Sequence, residues 1–515
     1  ALFTAWSDKL TGEEVCQLKD YLVKEWGRTK AITEPTDFGS MCSGTDIPAA
    51  VCEQWWLWAG QWTGQDFEYK HRFSSELDAK KRAFINVMHP NVGHIFGNVK
   101  DLSHRSGEAW DLKRRDLVRV PVCRILAAGF PCLDVSGLNP HSRTLRNRQC
   151  ISQVALRTGG VFSGIVEYIK AMICRRSPPE VMIFENVLGL KNPPRDDPNG
   201  PSNLDIVGLM LSGLGYRLHA WHLSPRMFGV PQCRQRVWMT AIRTSNMEGV
   251  LADFSESSEI LAELMSRITG FPESKLVKYL VNSRSRAHIK FLETVAARRQ
   301  LQKKRYAAAS VKQQVGRTIE KKRDIAVQKK WKTAFKAAVK KYPYLDTLTT
   351  RKRALMCTIG VSAFPEKQIR VVDISQNKAR TNLVSGYVPC ITPKGEKYLT
   401  DRCRPLLGVE ALRLQGMWLE LGNPKIHDMS DSLLRDLAGN AFEQSCFAAV
   451  LWCTLVFYAK MHHRRTAAGM QPRTPIYLPD PMLEKCEDDD DVRTEVLGGG
   501  HDQGNSSVVS QHKTD

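Results

Sequence analysis

The stretch Ile125–Pro140, ILAAGFPCLDVSGLNP, runs from an apolar segment of buried-strand length into a turn where a cysteine follows a proline. In an open α/β sheet, ligands bind beyond the carboxyl ends of the strands, so Cys132, one step past such an end, is placed for chemistry. Pro131 sets the backbone ahead of it, and Gly129, Ser136 and Gly137 make the turn permissive. A cysteine after a strand is more often a small buried hydrophobe than a nucleophile. Its neighbours decide between the two.

Working outward, the apolar runs RFSSEL, EVMIFENV and VWMTAIR alternate with segments of helical periodicity such as Gly164–Cys174 between Asp37 and Arg243. That alternation predicts an α/β domain with a mostly parallel sheet over residues 37–243. Residues 1–36 read as an N-terminal helical segment, with Leu18, Leu22 and Trp26 at i, i+4, i+8 spacing. NPPRDDPNGPSN (Asn192–Asn203) reads as a loop. After Arg243, Ala, Lys, Arg and Gln dominate, which predicts an inserted, largely helical basic module over 244–388. The α/β texture returns over 389–465 and ends in a final helix. The remainder, 466–515, carries EDDDD and reads as an acidic disordered tail.

The 515 residues carry a net charge of +20, unevenly distributed. Val281–Arg353 holds 22 Lys and Arg against four acids (Glu293, Glu320, Asp324, Asp346), a net of +18. Such a localised field suits a polyanion, although a solvated helical face or basic linker gives the same count. Trp331, Phe335, Tyr342 and Tyr344 interleave with the charge, either to stack on bases or, at helical spacing, as a core stripe. The 14 cysteines include no C-x-x-C pair, so reduced intracellular thiols and no metal site are expected. Cys446–Ala459 is shorter than the roughly 20 residues that cross a bilayer, and no signal-peptide pattern opens the chain, so a soluble protein without a membrane partner is expected. The chain starts at Ala1 rather than Met, which is compatible with a preceding segment.

Two more strand exits matter. MIFENVLGL puts Glu185 and Asn186 at the end of an apolar run, where a helix-capping acid would look the same. VPQCRQRVW puts Gln232, Arg234 and Arg236 at alternating positions, one face of an extended strand, where two cations and an amide call for an anion or carboxylate opposite.

With these motifs in order, the sequence resembles the cytosine-C5 DNA methyltransferase family, matched by CSGTD, SELDA, GFPCLDVS, ENV, QCRQR, RPLLGVEALRLQG and GNAFEQ between Phe38 and Trp452. The resemblance implies a Rossmann-like methyltransferase fold and methyl transfer from S-adenosylmethionine to C5 of cytosine in DNA. Cys132 is the implied nucleophile at C6, on a base flipped out of a double-stranded substrate. Glu185 is expected at the cytosine N3 and amine, Asn186 as the residue ordering the loop, and Arg234 and Arg236 as the cations that lower the Cys132 pKa. The cofactor is expected against Cys42, Gly44, Thr45, Asp46 and Ile47 in the first strand–turn–helix, and against Glu76 and Leu77 for the ribose. Asn98 and Val99 are expected at the adenine, with Asp101 as the fallback for Asn98, and Pro131, Asn440 and Ala441 also near the cofactor. Asn440 is also a simple cap for the final helix. Ser40, Cys42 and Asp46 stand where the family has an acid at the strand start, an aromatic and a second glycine, and Leu133 where it has Gln after the nucleophile. The basic insert corresponds to the family's target-recognition region. A tRNA-methylating branch carries a Cys-Phe-Thr signature not found here, so DNA is the favoured substrate; a catalytically silent DNA-binding homologue is the other alternative. Localisation is expected to be nuclear in a eukaryote and otherwise cytoplasmic, with the nucleoid. No chromatin-reading module is visible, which favours a stand-alone enzyme.

Overall fold

Ile125 and Ala127 face one hydrophobic cluster while Leu126 and Ala128 face another, and Val181/Ile183 and Met182/Phe184 divide in the same way. Strands apolar on both sides belong in a sheet covered on both faces. In the computed structural model, which describes residues 2–26, 36–103, 107–137, 150–194, 197–251, 254–308, 323–418, 426 and 428–470, that sheet has seven strands. They are β1 (Thr36–Met41), β2 (Tyr69–Ser75), β3 (His94–Phe96), β4 (Ile125–Ala128), β5 (Val181–Asn186), β6 (Tyr216–Leu223) and β7 (Arg236–Arg243), in the order β3-β2-β1-β4-β5-β7-β6. The first five in that order pair in parallel and β7 runs antiparallel to both neighbours. This is the mixed α/β architecture expected of a Rossmann-like methyltransferase. β6, which composition did not single out, lies at the sheet edge and buries only Tyr216, His219 and Leu223.

Register explains where the site lies. Met41 pairs with both Ser75 and Ala128, Ser75 with Phe96, and Ala128 with Phe184. Cys42, Glu76, Gly97, Gly129 and Glu185 therefore leave the sheet in one row at its carboxyl edge. Because β7 is antiparallel and Trp238 pairs with Glu185, Arg236 reaches the same edge from the opposite direction.

The N-terminal segment comprises α1 (Leu2–Ser7), α2 (Gly12–Tyr21) and a π-helical turn, Leu22–Trp26. Its break is set by a capping box in which Thr11 and Glu14 satisfy each other's backbone N–H. Leu18, Leu22 and Trp26 are all buried. The remaining helices of the sheet domain are α3 (Ile47–Thr63), α4 (Ala79–Met88), α5 (Arg157–Cys174) and α6 (Asn203–Ser212).

The inserted region, expected to be largely helical, holds both helices and short strands. It contains α7 (Phe254–Arg267), α8 (Arg286–Ala308), α9 (Arg323–Lys341) and α10 (Thr350–Thr358). It also carries a four-stranded antiparallel sheet built from Leu383–Ser385, Arg370–Asp373, Lys397–Leu399 and Arg404–Pro405. That sheet continues past residue 388, where the insert was expected to end. Strands of two to four residues leave too little alternation to read. On α9, Phe335 and Ala338 are buried whereas Lys329, Lys332, Lys336 and Lys340 are exposed, so one face is core and the other cationic. Trp331 stacks on Phe335 at 4.7 Å and donates its indole N–H to the Val361 carbonyl. Tyr344 is buried with its hydroxyl on Glu396. These aromatics form the core stripe rather than a base-stacking platform.

The chain then returns through α11 (Gly408–Arg413), α12 (Asp431–Asn440) and α13 (Gln444–Ala467). The apolar run Cys446–Ala459 lies in α13 and is buried against the sheet and the N-terminal helices. Asn440 does not cap that helix: it ends α12, and Glu443 caps α13 by accepting from the Cys446 N–H. The expected acidic tail, from residue 471 on, lies outside the described residues.

One buried ion pair ties the insert to the sheet domain. Arg404 meets Glu410 through two bonds of 2.8 and 2.7 Å, and Glu410 also accepts the Val281 and Leu407 N–H groups. Substituting Glu410→Gln leaves the guanidinium without a counter-charge in the core, which is expected to cost about 3 kcal/mol, read as a lowered thermal midpoint.

Candidate active site

Cys132 follows β4 by four residues, and its carbonyl accepts the Val135 and Ser136 N–H groups, closing a turn. The turn is anchored from the neighbouring strand. Buried Asn186 donates from Nδ2 to the Phe130 carbonyl (3.1 Å) and accepts the Val187 N–H (2.8 Å), so its carboxamide ties the turn of Cys132 to β5. Asp134 Oδ2 holds the Thr158 N–H at the start of α5. Leu133 is exposed.

The structure brings Glu185, Arg234 and Arg236 together. Arg236 Nε lies 2.9 Å and Arg234 Nη2 3.3 Å from the same oxygen, Glu185 Oε1. Arg234 is buried and donates further to the carbonyls of Ile391 (3.1 Å), Gly439 (3.1 Å) and Ala441 (3.0 Å). The continuous helix expected from Asn440 onward is broken here, because carbonyls turned to a guanidinium are withdrawn from helical pairing. Gln232 is fully buried on a two-residue strand.

Cys132 lies within the electrostatic reach of all three charged groups. Its thiol is nevertheless pushed above its ordinary value, by burial first and by Glu185 second, against the pull of Arg236 and Arg234. This corrects the expectation of a lowered value. The two cations are already committed to Glu185, so the sulfur receives only part of their field. Sequence reasoning also missed Cys390, whose sulfur accepts from Arg236 Nη2 at 3.6 Å. It stands on the insert's return strand, 154 residues from Arg236 in sequence, and no motif marked it.

The turn after β1 forms the second half of the site. Gly44 is left-handed (φ 60°), and its N–H donates to Glu76 Oε2 at 2.9 Å; Glu76 Oε1 accepts the Asp78 N–H. Cys42 (φ 53°) and Asp46 (φ 57°) also hold left-handed backbone. Asp46, standing where a glycine was expected, is thus in a glycine-like conformation that aspartate tolerates better than most residues. Its buried carboxylate is held by Ser74 and by His71 Nε2 (3.2 Å). Burial would raise its pKa, but His71 keeps it below the ordinary value. Burial and Glu76 push the Cys42 thiol up to about 12. Thr45 and Ile47 are buried, and Thr45 Oγ1 has no hydrogen-bond partner. A Cβ on Gly44 would stand 3.1 Å from the Asn440 carbonyl oxygen, so the turn and the end of α12 meet at glycine-only distance. Leu77 is 65% exposed beside Glu76. Asn98 spends its side-chain oxygen on the Lys100 N–H and caps the short 3-10 turn that starts at buried Val99. Pro131 is half-buried and Ala441 buried. Glycine-only backbone, an unpartnered buried hydroxyl and a carboxylate at adjoining strand ends fit a nucleoside cofactor.

Replacing Arg234 by Lys should be expensive. An ammonium cannot span Glu185 and three carbonyls, and each orphaned buried carbonyl costs about 1–3 kcal/mol. Arg234→Lys is expected to melt markedly below the wild type in a thermal scan, whereas Arg236→Lys, with fewer buried acceptors, should fall less.

The profile of C-5 cytosine-specific DNA methylases matches residues 62–442. The match begins beyond the Gly44 turn, where this chain departs from the family pattern. The DNA (cytosine-5-)-methyltransferase DMT5 of Verticillium dahliae is 23% identical over 472 residues, covering 81% of this chain and 19% of that protein. DMT5 of Cryptococcus neoformans var. grubii is 23% identical over 478 residues, covering 89% and 18%. The type II methyltransferase M.MspI of Moraxella sp is 28% identical over 166 residues, covering 32% and 35%. The chain spans about a fifth of the length of the two fungal relatives. With the profile matching most of its residues, the chain belongs to the C-5 cytosine-specific DNA methylase family.

Proposed function

We propose that this chain transfers a methyl group from S-adenosylmethionine to C5 of cytosine in double-stranded DNA, with the target base extruded into the site between Cys132 and Glu185. The observation that carries this reading is the convergence of Cys132, Glu185, Arg234 and Arg236 at one edge of the sheet, beside a cofactor-shaped turn.

The Cys132 thiolate adds to C6, the C5–C6 π pair shifts to C4–C5 and the C4–N3 π pair onto N3, where Glu185 binds the ring and its exocyclic amine, and C5 becomes the nucleophilic carbon of an enamine. S-adenosylmethionine, when bound, supplies an electrophilic methyl group to the carbon so activated. Loss of the C5 proton then expels the Cys132 sulfur and restores the ring. Arg236 holds Glu185 toward the base; Arg234 holds the strand ends and the α12–α13 junction together. Gly44, Glu76 and Leu77 would hold the nucleoside, Glu76 accepting from ribose hydroxyls and Leu77 lying against the base. The exposed lysines of α9 would neutralise phosphates, which gives affinity without naming a sequence. The fungal relatives support a nuclear setting.

A second reading, a silent DNA-binding homologue, is favoured by the raised Cys132 thiol and the departed cofactor turn. The two separate on one assay: purified chain, a labelled methyl donor and a cytosine-containing duplex, followed by bisulfite sequencing. Methylated cytosines are expected with the wild type and none with Cys132→Ser; an unmodified duplex in both, with no donor binding, favours the silent module. Since only the thiolate reacts and burial keeps it scarce at neutral pH, the methylation rate should climb with pH, about tenfold per unit below the thiol's pKa. Duplex affinity should fall by about 10³-fold or more between roughly 50 and 200 mM salt.

A further inference from the structure

The site contains two thiols. Beyond the small sheet the chain returns through Val388–Pro389, which pairs in parallel with Gln232–Cys233, Val388 opposite Gln232 and Pro389 opposite Cys233. That register carries Cys390 level with Arg234. Its half-buried sulfur accepts from Arg236 Nη2 at 3.6 Å, and the next carbonyl, Ile391, accepts from Arg234. Arg236 therefore bridges Glu185 Oε1, through Nε, and Cys390 Sγ, through Nη2.

The surroundings of the two sulfurs differ. Cys390 is faced by Arg236 and Arg234, by Lys397 from the small sheet, which is paired with Asp373, and by the neighbouring thiol of Cys233. Cys132 is faced by Arg236 and Arg234 but also by Glu185. Glu443 and Cys446 lie behind Arg234, at the start of α13. Burial opposes ionisation of both sulfurs. At Cys390 the three cations outweigh it and pull the thiol below its ordinary value; at Cys132 they do not. Two guanidiniums against one carboxylate and one thiolate balance. A second thiolate would leave a net negative charge in a buried site, so ionising one sulfur opposes ionising the other.

We propose that Cys390 is a positioning residue of the active site that holds Arg236 against Glu185 and competes with Cys132 for the two guanidiniums, so that it governs when Cys132 becomes a nucleophile. This rests on Cys132 being the attacking thiol, so the test reads the thiols directly as well as turnover.

The 515-residue chain, as wild type, Cys390→Ser and Cys390→Ala, is pulsed with iodoacetamide between about pH 6 and about pH 9. The thiolate displaces iodide to form a thioether, and mass spectrometry locates it. In the wild type Cys390 is expected to label at lower pH than Cys132. In either variant, Cys132 labelling at neutral pH should rise about threefold or more, as the repulsion from the second sulfur is relieved. The acid limb of the kcat profile should move to lower pH while KM for DNA stays put. Should the variants fail to fold, the wild type still decides: molecules already alkylated at Cys390 must label faster at Cys132 than unmodified ones. A Cys132 labelling profile indifferent to the state of Cys390 overturns the proposal. Labelling that shifts as stated in a chain that methylates nothing overturns only the catalytic reading of Cys132.

Discussion

The guanidinium of Arg234 is the contact on which the rest of the site depends. It is buried, it pairs with Glu185, and it gathers the carbonyls of Ile391, Gly439 and Ala441. Those groups come from the fifth strand of the sheet, the return from the basic insert and the junction between the last two helices. Desolvating a guanidinium is costly unless nearly every donor is used, so the packing of these pieces and the satisfaction of that charge must be achieved together. The same groups that assemble the fold thereby set the position of the carboxylate that would meet the base.

The parallel sheet supplies the other constraint. Because four consecutive strand pairs run in parallel, the residues that leave β1, β2, β4 and β5 emerge side by side, and the antiparallel β7 delivers Arg236 to the same edge. The Gly44 turn and the cluster of Glu185 with its arginines thus lie on a single edge, joined by α12, whose last carbonyl abuts Gly44 and whose end is held by Arg234. A displacement of that helix would be felt on both sides. Turn and cluster are also coupled chemically, because Glu76 holds the Gly44 backbone while Glu185 holds both arginines.

Two features show chemistry adjusted to its surroundings. Asp46 keeps the left-handed backbone that the turn requires, with its carboxylate satisfied by His71 and Ser74. Cys132 is not activated by its cations in the absence of substrate, since Glu185 holds them and burial opposes the thiolate. A buried thiol that ionises reluctantly is protected from stray electrophiles.

Much was legible in the residues alone. Short continuous apolar runs located four of the central strands, because a strand buried on both faces admits little else, and strand exits rich in Gly, Pro and charge marked Cys132, Glu185 and the arginines. The concentration of Lys and Arg marked the insert. Edge strand β6 and the two-to-four-residue strands of the insert were hidden because they carry little regular apolar pattern, and the break at Ala441 because the arginine that takes its carbonyl lies 207 residues away in the chain. Cys390 was hidden for the same reason: a cysteine 154 residues beyond Arg236 acquires meaning only when a parallel pairing sets it on that guanidinium. Composition and spacing determined which groups are available and which elements carry them. Only tertiary structure decided which charges share a partner, and so whether a cation lowers a thiol's pKa or is already spent on a carboxylate, because electrostatic energy follows distance and burial rather than order in the sequence.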